Sequence, residues 1–187
     1  MIKQIAKLAF KITGWKQVGT FPKELKKAVM IAAPHTSNWD LFYARAAFFI
    51  MDIPVRFTIK KESMVGPLGL LLKWLGAIPI DRNRKIGSLN KKNNLVNAMI
   101  DLFDRDELVI LITPEGTRNY APKWKSGFYH VALGANVPIV LGYLDYKEKH
   151  AGVGPIIYPT GNYEEDLEKI LAFYRTKTGK HPEKGVR

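Results

Sequence analysis

Cysteine is absent from the 187 residues, which excludes disulfide cross-links, thiolate nucleophiles and Cys-ligated zinc. A Gly-x-Ser-x-Gly elbow is missing too, so a covalent acyl-enzyme has no obvious nucleophile. Apolar runs are short: the longest, 64–80, is broken by Pro67, Lys73, Pro79 and several glycines and falls below the roughly 20 residues that cross a bilayer. Lys3, Lys7 and Lys11 interrupt the first residues, so neither a signal peptide nor export is expected. Acidic residues are scarce, 17 against 29 Lys plus Arg, for a net charge of +12. Such a field draws polyanions, either nucleic acid or an anionic membrane surface. The lysines are scattered and no nucleic-acid motif appears, so a basic nucleic-acid-binding protein is kept as the alternative from another class, and no nucleic-acid partner is expected.

What is present suits one α/β domain over residues 1–187. The apolar fraction of 47% and charged fraction of 25% are ordinary for a folded chain. Ile2, Ile5, Leu8, Ile12 and Trp15 recur at helical spacing opposite the lysines, making 1–16 a basic amphipathic helix. It either lies in a membrane interface, with Trp15 at headgroup depth, or packs on its own domain. Strands are expected at 28–33, 55–59, 77–80, 108–112, 138–143 and 153–158. Helices are expected from Ser37 or Asn38 to about Met51, and over 64–75, 89–103, about 126–133 and 163–175. Their alternation predicts a single-domain layered fold with a mixed, largely parallel central sheet flanked by helices. Residues 176–187 read as a polar, mobile tail.

In such folds, active residues gather where strands end. His35 follows the first expected strand, and Asp40 falls in the first turn of the next helix. If the chain turns between them, the carboxylate reaches Nδ1 and leaves Nε2 to accept a proton, as an imidazole of ordinary pKa (about 6.5) does near neutrality. Alone, the pair reads better as a helix-capping segment with an incidental histidine. His130, His150 and His181 have no comparable setting and read as surface or packing residues. Pro114-Glu115-Gly116-Thr117-Arg118 ends the strongest strand, and its guanidinium suits phosphate because it donates two parallel hydrogen bonds. Gly76-Ala77-Ile78-Pro79-Ile80-Asp81-Arg82 repeats that design, a strand closing on a charged pair. A metal-dependent hydrolase using His35, Asp40 and Glu115 is a rival reading, but the paired histidines and clustered carboxylates of metal sites are missing.

The blocks in order, His35-x4-Asp40, Gly76-x3-Ile80-Asp81-Arg82, Pro114-Glu115-Gly116-Thr117-Arg118 and Val137-Pro138-Ile139-Val140, resemble the glycerolipid acyltransferases typified by lysophosphatidate acyltransferase. They span Pro34 to about Leu141. The resemblance implies direct acyl transfer from acyl-CoA or acyl carrier protein to the hydroxyl of a lysophospholipid-type acceptor in phospholipid biosynthesis. It makes His35 the base and Asp40 its partner, with Arg82, Glu115, Gly116, Thr117 and Arg118 serving acceptor binding. Lys60 and Lys61, between blocks, are candidates for adding charge near the phosphate. No cofactor, no metal and no transmembrane helix are expected, and the expected place of work is the cytoplasmic face of a membrane, peripheral or monotopic. Pro34 replaces a common asparagine of the family, Thr113 a phenylalanine, Asn119 a serine and Leu141-Gly142 a second proline. The acceptor therefore stays open between lysophosphatidate, another lysophospholipid and an aminolipid such as lyso-ornithine lipid.

Overall fold

A computed structural model describes residues 1–80 and 91–187. The sheet comprises β1 (Lys16–Val18), β2 (Ala28–Ala33), β3 (Val55–Lys60), β4 (Ala77–Ile80), β5 (Val109–Ile112), β6 (Ile139–Asp145) and β7 (His150–Ile157), in the order β1-β7-β6-β2-β5-β3-β4. Pairings are parallel except β6–β7, which is antiparallel. This is the mixed, largely parallel sheet that the alternation predicts. Among the described residues β4 pairs on one side, with β3, and an edge strand can spare an amide donor at Pro79.

Among the described residues, six α-helices cover the sheet: α1 (Ile2–Thr13), α2 (Trp39–Met51), α3 (Gly66–Trp74), α4 (Lys91–Arg105), α5 (Gly127–Gly134) and α6 (Tyr163–Tyr174). Alternate residues of one strand feed opposite faces, as the two-residue side-chain period requires. Val29 and Ile31 of β2 pack with Ile110, Leu141 and the α4–α6 residues Phe103, Phe128 and Tyr174. Ala28 and Met30 turn the other way, to Val109, Val140 and Phe48 of α2. With both faces covered, β2 is buried almost throughout, which explains its uninterrupted apolar run.

Three expectations need correction. The short strand β1 carries too few residues to show a periodicity, and its place comes from parallel pairing with β7. On α1, the buried residues are Ala6 and Phe10, against α2, while Ile5, Leu8 and Ile12 are 61%, 57% and 75% exposed. Trp15 does not stand at a surface: it is buried and stacks on Tyr43 with ring centroids 4.2 Å apart. Residues 176–187 are not a loose tail. Tyr146 donates its amide to the Thr178 carbonyl (2.8 Å), Gly179 and Gly185 are buried, and Val186 packs on the main core.

The fold rests on the strands that flank β2. Ile110→Ala in β5, a fully buried site, is expected to lower unfolding free energy by about 2–5 kcal/mol. Denaturant titration of the variant against the parent measures it, and a loss under about 1 kcal/mol would show that the two layers close over the gap.

Candidate functional site

β2 leaves the sheet at Ala33 through a cis Ala33–Pro34 peptide and delivers His35 at its carboxyl end. α2 begins four residues later, at Trp39. The turn between them closes on Asp40: its Oδ2 lies 3.0 Å from His35 Nδ1 and accepts the amides of Thr36 and Ser37 at 2.9 Å each. Capping and orienting the imidazole are therefore one arrangement, since the carboxylate that satisfies the free amides before α2 also holds the ring. An ionised carboxylate only accepts, so Nδ1 carries the hydrogen and Nε2 presents its lone pair. Tyr146, just past β6, donates to Asp40 Oδ1 at 2.7 Å. Burial pushes the Asp40 carboxyl up, but the bonds from His35, Tyr146 and the Ser37 amide outweigh it and hold the group below the usual carboxylate range. The same contact, added to burial, drives the Tyr146 hydroxyl well above an ordinary phenol.

β5 runs beside β2, so the turn after it meets His35 from the neighbouring strand end. Gly116 makes that turn possible. Its amide reaches the Thr113 carbonyl (3.1 Å) and its φ of +65° is a region that side chains avoid. Glu115 points inward, 6% exposed, and both of its carboxylate oxygens accept the His35 main-chain amide, at 3.2 and 2.9 Å. The resemblance assigns Glu115 to the acceptor; in this geometry its carboxylate holds the main-chain amide of His35.

Two cavities meet at His35. A polar one of about 620 Å³ is lined by His35, Ser37, Thr117, Arg118, His181 and Lys184, among others. An apolar one of about 970 Å³ runs between α1, α2 and the sheet, past Ile5, Leu41, Phe42, Phe48 and Leu111. Both volumes suit a small-molecule or acyl-chain site. His35, Asn38, Thr113 and Arg118 belong to both walls.

The structure thus gathers His35, Asp40, Glu115, Gly116, Thr117 and Arg118. Lys61 is exposed in a short 3₁₀ turn and is not among the residues lining either cavity. Arg82 and the side chain of Lys60 lie outside the described residues. Among the described residues no group of three or more His, Cys, Asp and Glu is placed to hold a metal ion. Sequence reading missed Tyr146 and His181. It also missed Arg45, whose guanidinium sits 4.6 Å over the Phe49 ring in the wall of the apolar cavity.

Burial raises the Glu115 carboxyl from its ordinary 4.5 to about 7, against the lowering effect of the His35 amide. Between those values the folded chain keeps a proton that the unfolded chain has released. The stability tied to this group is therefore whole below 4.5 and drains away as pH rises through about 7. Glu115→Gln stays neutral while its amide oxygen still accepts from His35. Between about pH 5 and about pH 8 the parent Tm is expected to fall more than that of the variant; parallel melting curves across that range would refute the burial argument.

Comparison with known proteins matches the Acyltransferase family model over residues 11–141. The 1-acyl-sn-glycerol-3-phosphate acyltransferase of Haemophilus influenzae is 29% identical over 63% of this chain and 48% of its own. That of Salmonella typhimurium is 32% identical over 58% of this chain and 43% of its own. The chain spans about half the length of these relatives. The crystal structure of the 1-acyl-sn-glycerophosphate (LPA) acyltransferase PlsC from Thermotoga maritima shares the fold, with a TM-score of 0.56 at 16% identity over 90% of this chain and 72% of that one. With more than half of its residues covered by one family model, and a histidine held by an aspartate at the strand end where that model runs, the chain belongs to the Acyltransferase family.

Proposed function

We propose that the chain is an O-acyltransferase that moves a fatty acyl group from acyl-CoA or acyl carrier protein to the hydroxyl of a lysophosphatidate-like acceptor in phospholipid biosynthesis. One observation carries this reading: His35 stands where a cation-lined polar cavity meets an apolar one. An amphiphile with a charged head and an acyl chain, reacting between the two, needs that junction. The names of the family relatives support the same acceptor class.

In the proposed step, Nε2 of His35 takes the proton of the acceptor hydroxyl as its oxygen attacks the thioester carbonyl. The tetrahedral intermediate collapses with loss of the C–S bond, and the imidazolium returns the proton to the departing thiolate. The products are an ester and a free thiol. Asp40 steadies the transient imidazolium, Glu115 fixes the main chain of the base, and Arg118, at both cavities, faces the acceptor phosphate.

The membrane is the proposed source of both lipids, approached from the cytoplasmic side where the acyl donor resides. Exposed Ile5, Leu41 and Phe42 rim the apolar cavity, and exposed Leu8, Ile12 and Trp74 lie on the adjoining α1 and α3. Lys7 and Lys11 on α1 supply attraction to anionic headgroups. Among the described residues no helix is long and apolar enough to cross a membrane, so this rim is the proposed contact.

A screen of lipid acceptors with labelled acyl-CoA and acyl carrier protein, read by mass spectrometry, is expected to yield acylated lysophosphatidate. His35→Ala is expected to cut its turnover by about 10²–10⁴-fold with Tm unchanged, and turnover retained in that variant would remove His35 from the chemistry. Leu8→Glu with Ile12→Glu is expected to weaken cosedimentation with phosphatidylglycerol vesicles at least about tenfold, since two apolar side chains leave the interface. Unaltered cosedimentation would place the membrane contact elsewhere.

A further inference from the structure

Residues 176–187 bring His181 and Lys184 to the wall of the polar cavity and are tied to both loops that form it. On the His35 side, the His181 amide donates to Thr36 Oγ1 at 3.2 Å. Gly179 lies so close that a Cβ there would stand 2.8 Å from Thr36 Oγ1 and 3.3 Å from Pro34 Cγ, and Lys180 Nζ sits 5.0 Å over the Trp39 ring. On the other side, the Arg187 guanidinium stacks 4.3 Å over Tyr120, next to the Arg118 loop. A 3₁₀ turn over Pro182–Lys184 lies between these fixings, and it places His181 and Lys184 on the cavity wall with Arg118.

The charge pattern of that wall is one-sided. Among the described lining residues there is no aspartate or glutamate, while Arg118, Lys184 and His181 bring donors and Ser37 and Thr117 bring hydroxyls. The acids nearest the wall, Asp40 and Glu115, are engaged by His35, at 3.0 Å from its Nδ1 and 2.9 Å from its amide, and the exposed Glu183 lies 3.9 Å from His181 Nδ1. A cavity of this make-up takes an anion with several acceptor oxygens. One guanidinium serves a singly charged phosphodiester; a second and third donor answer the extra charge and oxygen of a phosphomonoester.

We propose that segment 176–187 forms the second wall of the acceptor site, with Lys184 and His181 joining Arg118 on a phosphomonoester headgroup, and so determines which acceptor is acylated. This rests on the acyltransferase reading for its substrate, and on the geometry alone for the anion site. The segment therefore makes specificity depend on residues beyond the matched stretch 11–141. No part of the segment touches the reacting hydroxyl in this scheme: Lys184 and His181 bind, and His35 reacts.

Two measurements on the full chain separate the two claims. Isothermal titration with glycerol 3-phosphate, with glycerol as the blank, reads the anion site without any acyl donor. Lys184→Met and His181→Ala are each expected to raise Kd about tenfold, and Lys184→Arg, which keeps the charge, to stay within about threefold of the parent. Competition by inorganic phosphate at similar concentration would still be phosphomonoester-type binding, and a loss of that competition in Lys184→Met would support the same wall. Absence of binding in the parent, or an unchanged Kd in both neutral variants with parental Tm, overturns the proposal. The second measurement is the ratio of kcat/KM for lysophosphatidate to that for monoacylglycerol, expected to fall about 10–100-fold when Lys184→Met and His181→Ala are combined. An unchanged ratio overturns the proposal while leaving the transferase standing. Glycerol 3-phosphate binding that depends on Lys184, in a protein that acylates no lipid, keeps the anion site and removes the transferase.

Discussion

Everything at this site depends on one buried carboxylate. Asp40 takes hydrogen bonds from His35 Nδ1, the Thr36 and Ser37 amides and the Tyr146 hydroxyl. Removing a charge from water costs several kcal/mol, and only a full set of donors offsets that cost. Each donor comes from a different structural commitment: the exit from β2, the start of α2, and the residue that follows β6. The first helical turn adds its own dipole to the same carboxylate. Neither the direction of the imidazole nor the entry angle of α2 is free to change alone, because either move strands a charge.

The second carboxylate shows how strongly surroundings divide two similar groups. Glu115 and Asp40 both serve His35, one at its amide and one at its ring. Asp40, with donors on both oxygens, stays ionised, whereas Glu115, with one amide shared between its oxygens, is raised toward neutrality by burial. Separate environments for neighbouring acids are how one fold sustains two roles. Here one acid carries charge opposite the imidazole, and the other, its carboxyl raised to about 7, clamps the strand end. A second full charge beneath His35 would oppose Asp40, and that repulsion joins burial in raising the Glu115 carboxyl.

Much of this was legible in the residue order. Period-two burial and apolar runs located β2 through β7 to within a few residues, and the charged turns after β2 and β5 marked the strand ends that meet. Local signals have local reach, and the misses were long-range. Tyr146 reaches Asp40 across 106 residues, and nothing in the sequence around it distinguishes it from other tyrosines. Residues 176–187 look mobile because they are polar, yet they are held by main-chain bonds and by glycine contacts with Thr36 and Pro34, which leave no hydropathy signature. His181 was set aside for want of a carboxylate partner like Asp40, although its value lies in the cavity it faces.

Periodicity posed a choice for the N-terminal helix between packing on the domain and lying on a membrane, and the structure shows the packing, on α2. Its apolar arc is wider than one contact needs. The side that carries Ala6 and Phe10 is small and aromatic enough to sit close on α2, and the side that carries Ile5, Leu8 and Ile12 faces outward. A water-exposed face of three branched aliphatics brings no folding benefit, and contiguous apolar exposure of this kind marks an interaction surface. Since Ile5 also lines the apolar cavity, the outward face and the interior of that cavity are continuous through one helix. An acyl chain passing from a bilayer to His35 along that route would meet apolar side chains throughout, and the phosphate would have to turn the other way, into the cationic cavity. The amphiphilic geometry of the proposed substrate is thus matched by which sides of α1 and α2 face the sheet, the solvent and the strand end that carries His35.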